Sequence, residues 1–206
     1  MLLNVRTMIA LGSVGVASAA NANLLTNGNF EAGNTGFSSD YQYSPANVSP
    51  YVGQYGITNS SFAWTNFWGN VPGDHTTGTG LFLIADGGPS LTSAIWRQTV
   101  SVPINTQMTL TGWLATWTSF PGNVLRVEVD GVPVTTWAAP GNGTWTQYSA
   151  SWTSGVSGTA TIALVPNVYF QPGADVAIDD LVLIPAPGAG AAFGFAALAS
   201  LRRKRR

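Results

Sequence analysis

The residue types that most often do chemistry are scarce in this sequence. Cysteine is absent, which excludes thiolate nucleophiles, thiolate metal sites and disulfide frameworks. His75 is the only histidine; it follows Asp74 and precedes a run of threonine and glycine. A catalytic triad also needs a serine or threonine beside the histidine, and no serine here lies in a nucleophile-elbow sequence. We therefore interpret Asp74 and His75 as hydrogen-bonding residues that order their loop, with catalysis as the less favoured alternative.

Carboxylates are the second type of side chain that could carry chemistry here. Residues 23–187 hold nine acidic side chains against two arginines, a net charge of −7. Such an acidic segment cannot neutralise a phosphate backbone, which argues against nucleic-acid binding. A glycosidase needs two carboxylates facing each other across a groove, whereas Glu128 and Asp130 lie beside Arg126 at a hairpin, as surface charges do. Nothing in the sequence requires an enzyme, and the oxygen-rich side chains favour calcium over other metals.

Aromatic side chains are the third type that could take part in function, and the sequence has eight Trp, six Tyr and nine Phe. Trp113 and Trp117 share one face of a threonine-rich segment, and Trp64 and Trp68 lie among asparagines and threonines. Because their rings are amphipathic, we predict that these four tryptophans form an exposed platform for a ligand. The alternative for each of them is packing in the core, where tryptophan is usually buried.

The elements that must position these residues are short β-strands. In residues 107–118 the apolar side chains alternate with threonine and tryptophan, and Asp130-Gly131 predicts a two-residue hairpin turn. We predict the long stretch 36–79 to be mainly loops, because its alternation is broken. The predicted strands are 23–30, 54–58, 81–85, 94–102, 107–118, 124–130, 132–137, 144–152, 159–165 and 176–184. Strands of this length and spacing indicate an all-β sandwich or barrel.

Two short motifs lie at the ends of this region. It opens with Asn27-Gly28-Asn29-Phe30-Glu31 and closes with Asp179-Asp180 between apolar residues. This pairing resembles carbohydrate-binding modules with a galactose-binding-like jelly roll. The resemblance implies a two-sheet antiparallel β-sandwich with its first and last strands adjacent. It also implies a structural calcium held by Glu31 with Asp179 or Asp180. It further implies carbohydrate binding on exposed aromatic rings, for which the candidates are Trp64, Trp68, Trp113 and Trp117. Alternation does not decide which aspartate faces inward, and the alternative is that these acids are solvated turn residues.

The stretch from Asp74 to Gly80, followed by a strand and by Asp86-Gly87, is also informative. It is similar to a version of this domain in exported bacterial surface proteins. That resemblance implies a fold and no particular chemistry.

The two ends of the sequence carry targeting patterns. Residues 1–22 have a weakly positive start, an apolar stretch and Ala20-Asn21-Ala22, which predict a secretory signal helix cut after Ala22 or Ala20. Residues 185–206 run from Pro-Ala-Pro through an apolar stretch, predicted as a sorting helix, to a terminal basic cluster. This tail resembles the PEP-CTERM sorting signal, with alanine in place of the usual glutamate. The resemblance implies transient membrane anchoring and cleavage by an exosortase-type enzyme.

These observations predict three parts: a signal peptide (1–22), a β-sandwich domain (23–184) and a sorting segment (185–206). They favour an exported cell-surface or extracellular protein whose module binds a polysaccharide without catalysis. A structural or adhesive matrix protein without a sugar site is the main alternative. An enzyme acting on polysaccharide comes third.

Overall fold

The computed structural model describes residues 22–45, 52–65, 71, 73–88, 90–116, 124–167 and 175–186. Within these residues the chain forms strands and a single helical turn. The elements are β1 (Gln42–Tyr43), β2 (Gln54–Thr58), α1 (Ser61–Trp64), β3 (Phe82–Asp86), β4 (Trp96–Ser101), β5 (Gln107–Ala115), β6 (Val124–Val129), β7 (Val132–Ala138), β8 (Thr146–Thr153), β9 (Thr159–Pro166) and β10 (Val176–Pro185). The all-β prediction is confirmed.

The strands form two sheets. One has six strands in the order β1-β2-β3-β10-β5-β8, and the other has four in the order β4-β9-β6-β7. All pairings are antiparallel except that of β1 with β2. Apolar side chains from both sheets meet in one buried cluster, so the architecture is the predicted β-sandwich.

Alternation of side chains explains which face of each strand meets the core. Met108, Leu110 and Leu114 of β5 are fully buried, while Thr109 and Thr111 point away from the core. The same rule buries the apolar residues of β6 and leaves its charged residues half-exposed. Both faces agree with the sequence prediction.

The β6–β7 hairpin also agrees with its prediction. Val129 pairs with Val132, so the loop has two residues, Asp130 and Gly131. Their φ angles are +53° and +78°, as a turn with two left-handed residues requires.

The opening segment differs from its prediction. Residues 23–30 form turns instead of a strand, with positive φ at Asn27 and Phe30. The segment still runs beside β10, since Leu24 N–H donates to Leu183 O at 2.9 Å. The first and last parts of the domain are therefore adjacent, as the resemblance to the jelly-roll modules implies.

A β-bulge interrupts β10. The pairing of β10 with β5 shifts register between Asp179 and Val182, and Asp180 has a φ of +47°. The extra residue changes which side chains face the core, so that both Leu181 and Leu183 are buried there. The bulge thus lets two consecutive aspartates lie outside the core.

The predicted targeting segments fall almost entirely outside the described residues. Residue 22 is described at one end, and Pro185 and Ala186 at the other. Ala186 N–H donates to Gln107 O at 2.7 Å, so hydrogen bonding to the sheet continues to that residue. No helix in the described ranges is long and apolar enough to cross a bilayer.

Candidate functional site

The outer face of the six-stranded sheet carries a row of hydroxyl and amide side chains on β5 and β8. Three register pairs build it: Thr109 with Ser151, Thr111 with Ser149, and Trp113 with Gln147. We call these six residues the polar strip. Its members are half-buried or exposed, and the Thr109 and Ser151 hydroxyls lie 3.3 Å apart. The strip offers hydrogen-bond donors and acceptors beside one large aromatic ring.

A loop of residues 73–80 crosses the sheet at the Trp113 end of the strip. Asp74 organises it: the carboxylate accepts hydrogen bonds from the N–H groups of Thr77, Thr79 and Gly80 at 2.8–2.9 Å. The Thr77 hydroxyl adds a fourth at 2.8 Å. Burial disfavours the ionised carboxyl, but these hydrogen bonds outweigh it and lower the pKa of Asp74 to about 2. Hydrogen bonds of this kind order a loop.

His75 connects this loop to the sheet. Its ring stacks on Trp113 with centroids 3.5 Å apart and planes inclined by 17°. Its Nδ1 lies 2.7 Å from Asp180 Oδ2, and its backbone N–H donates to Asp179 Oδ2 at 2.9 Å. The Thr76 hydroxyl also donates to Asp180. One face of the Trp113 indole is therefore covered by the histidine.

The four tryptophans predicted to form a platform differ in position and burial. Trp64 is only 1% exposed, and its Nε1 donates to Ser44 O at 2.7 Å. Trp64 is the last residue of α1 and packs with Phe82 and Ile84, so the prediction of an exposed platform at Trp64 is wrong. Trp113 lies on the polar strip, half-buried. Trp68 and Trp117 fall outside the described residues.

Trp145 is an aromatic residue of this site that the sequence prediction did not single out. It is half-buried just before β8, in edge contact with Phe82 at a centroid distance of 5.5 Å. Its Nε1 donates to Gly73 O at 3.3 Å, which ties the start of the 73–80 loop to the sheet. Only its position next to β8 in the sequence could have indicated this.

The predicted calcium ligands lie near this loop. Glu31 is exposed and its Oε1 accepts the Leu81 N–H at 2.8 Å. A Cβ added at Gly80 would lie 2.2 Å from that Oε1 and 3.0 Å from Asp74 Oδ2, so the Glu31 and Asp74 carboxylates approach one another there.

The carboxylates of Asp179 and Asp180 also accept hydrogen bonds from within the chain. Asp179 accepts the N–H groups of His75 and Asp180, and Asp180 accepts from His75 and Thr76. The oxygen donors suit calcium, yet within the described ranges no three His, Asp or Glu side chains are grouped to hold a metal ion. These carboxylates do not form a closed set of metal ligands, and calcium bound by Glu31 with Asp179 or Asp180 stays a prediction.

The environment of Asp179 disfavours its charge. The side chain is 1% exposed, and burial raises its pKa to about 7, with the charges of Asp180 and Asp74 adding to the effect. Hydrogen bonds from the His75 and Asp180 N–H groups act in the opposite direction and do not cancel it. The bulge thus holds a carboxyl that ionises near neutral pH.

A second, shallow groove of 410 Å³ lies at the edge of the four-stranded sheet, lined by residues 36–38 and 97–99. Gln98 beneath it is buried, and its amide bonds Thr26 and Gly36. Arg97 is paired with Asp40 at 2.8 Å. These polar groups are therefore satisfied within the chain.

No family model and no curated protein matches the chain. Solved structures do match it. The CBM22-1 xylan-binding domain of Xyn10C from Paenibacillus barcinonensis has a TM-score of 0.55 at 13% identity, covering 84% of this chain and 100% of that one. TmCBM61, solved in complex with β-1,4-galactotriose, has a TM-score of 0.52 at 16% identity, covering 80% and 99%. The chain thus has a β-sandwich fold like that of these carbohydrate-binding modules.

The enzymatically active domain of tailspike protein 4 from bacteriophage CBA120 is also similar, with a TM-score of 0.51 at 15% identity. The match covers 80% of this chain but only 21% of the tailspike chain. At such identities the likeness concerns the fold, since one fold hosts many functions.

Proposed function

We propose that this protein is a non-catalytic carbohydrate-binding module that holds a polysaccharide on the outer face of its six-stranded sheet. The observation that carries the proposal is the polar strip, in which an aromatic ring and paired hydroxyl and amide groups line one continuous surface. Sugars are bound by such combinations, because rings cover their apolar faces while hydroxyls and amides read their rims.

The fold supports the same proposal. One solved domain of this fold is a xylan-binding domain, and another was solved in complex with β-1,4-galactotriose. Xylan and β-1,4-galactan are therefore the first polysaccharides to test. Catalysis is not part of the proposal, since ring contacts and hydrogen bonds are sufficient to hold a polysaccharide.

We place the protein outside the cell. The signal pattern of residues 1–22 and the sorting pattern of residues 185–206 support export, transient anchoring in the membrane and processing by an exosortase-type enzyme. Intact-mass analysis of extracellular protein tests this: we expect a C-terminus near residues 185–187. Retention of Arg206 on that protein would contradict processing.

Affinity electrophoresis against a polysaccharide panel tests the binding surface. The test variant replaces Thr111, Gln147 and Ser149 with alanine, which removes the centre of the strip. Each lost hydrogen bond costs about 1 kcal/mol, so we expect binding at least about tenfold weaker. The matched control replaces Thr99 and Thr136 with alanine on the outer face of the four-stranded sheet and should bind as the wild type does.

Three results would reject the proposal. Wild-type protein that is retained by no polysaccharide would favour the structural or adhesive alternative. Equal retention of the strip variant and the wild type would place the ligand on another surface. Release of reducing sugars from a retained polysaccharide would reveal an enzyme.

His75 provides a separate check of the aromatic end of the strip. We expect His75→Ala to leave the fold intact but to uncover one face of Trp113, which shifts the tryptophan emission to longer wavelength. A change in polysaccharide retention would accompany this shift if the ring contacts the ligand. An unchanged emission spectrum would contradict the stacked geometry.

A further inference from the structure

The outer face of the six-stranded sheet, which carries the polar strip, is open at one end and covered at the other. On this face of β5, Thr111 and Trp113 are half-buried, whereas Ala115 is fully buried although it continues the same alternation. β10 shows the same change, since Val182 is half-buried and Ala177 is fully buried. The sheet is therefore covered on both faces beyond Trp113 and on its inner face alone along the strip.

A small apolar cluster covers the closed end. Ala115 and Ala177 pair across β5 and β10, and they belong to one cluster with Trp64 and Val71, which are not sheet residues. Trp64 is 1% exposed and Val71 is 0% exposed. This cluster is separate from the main core between the two sheets, so it forms a second layer on the outer face. We call it the outer layer.

His75 and Thr76 lie where the outer layer meets the strip. The His75 ring stacks on Trp113, and its side chain is 27% exposed, while Thr76 is exposed. His75 Nδ1 is hydrogen-bonded to Asp180, but Nε2 makes no hydrogen bond to the residues that the structure describes. Either tautomer of the ring leaves Nε2 able to form a hydrogen bond with a sugar hydroxyl. The boundary of the strip thus offers polar groups to a ligand.

The open surface is longer along the strands than across them. It continues past the strip to Gln107 and its partner Thr153, which are both exposed, so that it runs for about 20 Å from Trp113 to Gln107. Across the strip, β5 and β8 are only about 5 Å apart, and β8 is the edge of the sheet. A sugar chain that uses the groups of the strip therefore lies along the strands, with one end at His75.

We propose that the strip binds the end of a polysaccharide chain, with the terminal sugar against His75 and Thr76. This inference rests on the proposed sugar-binding function. An internal segment of a polysaccharide must continue past both ends of its site, and the outer layer over Ala115 blocks one of these directions. A terminal sugar also has a free hydroxyl where an internal sugar continues into the next glycosidic bond. His75 Nε2 and the Thr76 hydroxyl are the groups that would recognise it.

Isothermal titration of the full chain with β-1,4-galactan and with xylan, each used intact and after cutting to shorter chains, tests the proposal. Cutting creates chain ends without changing the mass of sugar, so the protein bound per gram should rise in proportion to the number of ends. With oligosaccharides of increasing length, the affinity should rise until the sugar spans about 20 Å and then stay constant. A capacity that does not change on cutting would overturn the proposal and leave the sugar-binding function standing. Absence of binding to intact and cut chains alike would overturn both.

Modified oligosaccharides show which end of the chain lies against His75. One is reduced to the alditol at its reducing end, and the other is methylated at the terminal hydroxyl of its opposite end. One of the two should bind the wild type at least about tenfold more weakly than the unmodified sugar, because it loses hydrogen bonds at the boundary. Equal binding of all three sugars would overturn the proposal.

Two variants locate this discrimination in the structure. His75→Ala should lose most of it, because the variant removes the ring that faces the terminal sugar. Thr109→Ala is the matched control at the open end of the strip, and it should weaken the binding of modified and unmodified sugars by the same factor. Discrimination that persists in His75→Ala and disappears in Thr109→Ala would overturn the proposal, by placing the chain end at the opposite end of the strip.

Discussion

Replacing Asp74 with asparagine tests how the 73–80 loop is held over the sheet. The substitution keeps the size of the side chain but exchanges one acceptor oxygen for an NH₂ group and removes the charge. The wild-type carboxylate accepts three backbone N–H groups and one hydroxyl, so the variant must leave some of these donors unpaired.

The magnitude follows from the lowered pKa. The pKa of the Asp74 carboxyl falls from its ordinary 3.8 to about 2, and a shift of that size corresponds to roughly 2–3 kcal/mol of folding free energy. Because the folded-state pKa of this acid is lowered, that contribution is fully present above about pH 4 and is lost as the pH falls toward about 2. We therefore expect Asp74→Asn to lose roughly 2–3 kcal/mol of stability at neutral pH and progressively less in acid.

Urea unfolding of both proteins, followed by tryptophan fluorescence between about pH 2 and 7, measures this difference. Charges far from Asp74 affect both proteins alike and cancel in the comparison, whereas the pKa of Asp179, which the charge of Asp74 helps to raise, falls in the variant. Thr77→Val is the matched control, because it removes the hydroxyl donor but keeps the carboxylate, and should cost about 1 kcal/mol. A deficit of less than about 0.5 kcal/mol at neutral pH, or one that stays constant down to about pH 2, would refute the reasoning.

Three further predictions concern packing, charge and metal. Gly112→Ala should destabilise the fold by about 1–3 kcal/mol in urea unfolding, because the new Cβ would lie 2.5 Å from the buried Leu181. Gly155→Ala should have little effect, because the space around Gly155 is open. Because the pKa of Asp179 is raised, the wild type with chelator present should lose stability as the pH rises from about 4 through 7, whereas Asp179→Asn should not. Parallel pH profiles of the two proteins would contradict this prediction. If calcium binds near Glu31, chelation should lower the melting midpoint of the wild type but not of Glu31→Gln; an unchanged wild-type midpoint would reject that site.

Strand positions were predictable because this fold follows the alternation rule closely. In β5 the buried residues are apolar at every second position, with Gly112 at the remaining one. The β6–β7 turn was predictable because Asp-Gly is a residue pair that accepts two left-handed conformations. Both features are local, so the sequence around them contains the information needed.

The site was predictable only in part, because its geometry depends on contacts between distant segments. The tryptophans at 64 and 113 are alike in the sequence. Their burial differs because Trp64 packs against Phe82 and Ile84, while Trp113 lies on the polar strip with His75 stacked on it. The bulge after Asp179 could not be inferred from alternation, since it is a break in alternation. The turns at residues 23–30 were missed because their hydrogen bonds connect to β10, more than 150 residues away.

The position of β10 has a mechanical consequence. It lies inside the six-stranded sheet, with β3 on one side and β5 on the other, and it is the strand that runs to Pro185. A tensile load applied to the chain beyond residue 185 would pull along this strand. Its hydrogen bonds to β5 run perpendicular to that direction, so many of them would have to break together rather than one after another. The sandwich therefore resists force where a tether at its C-terminal end would apply it.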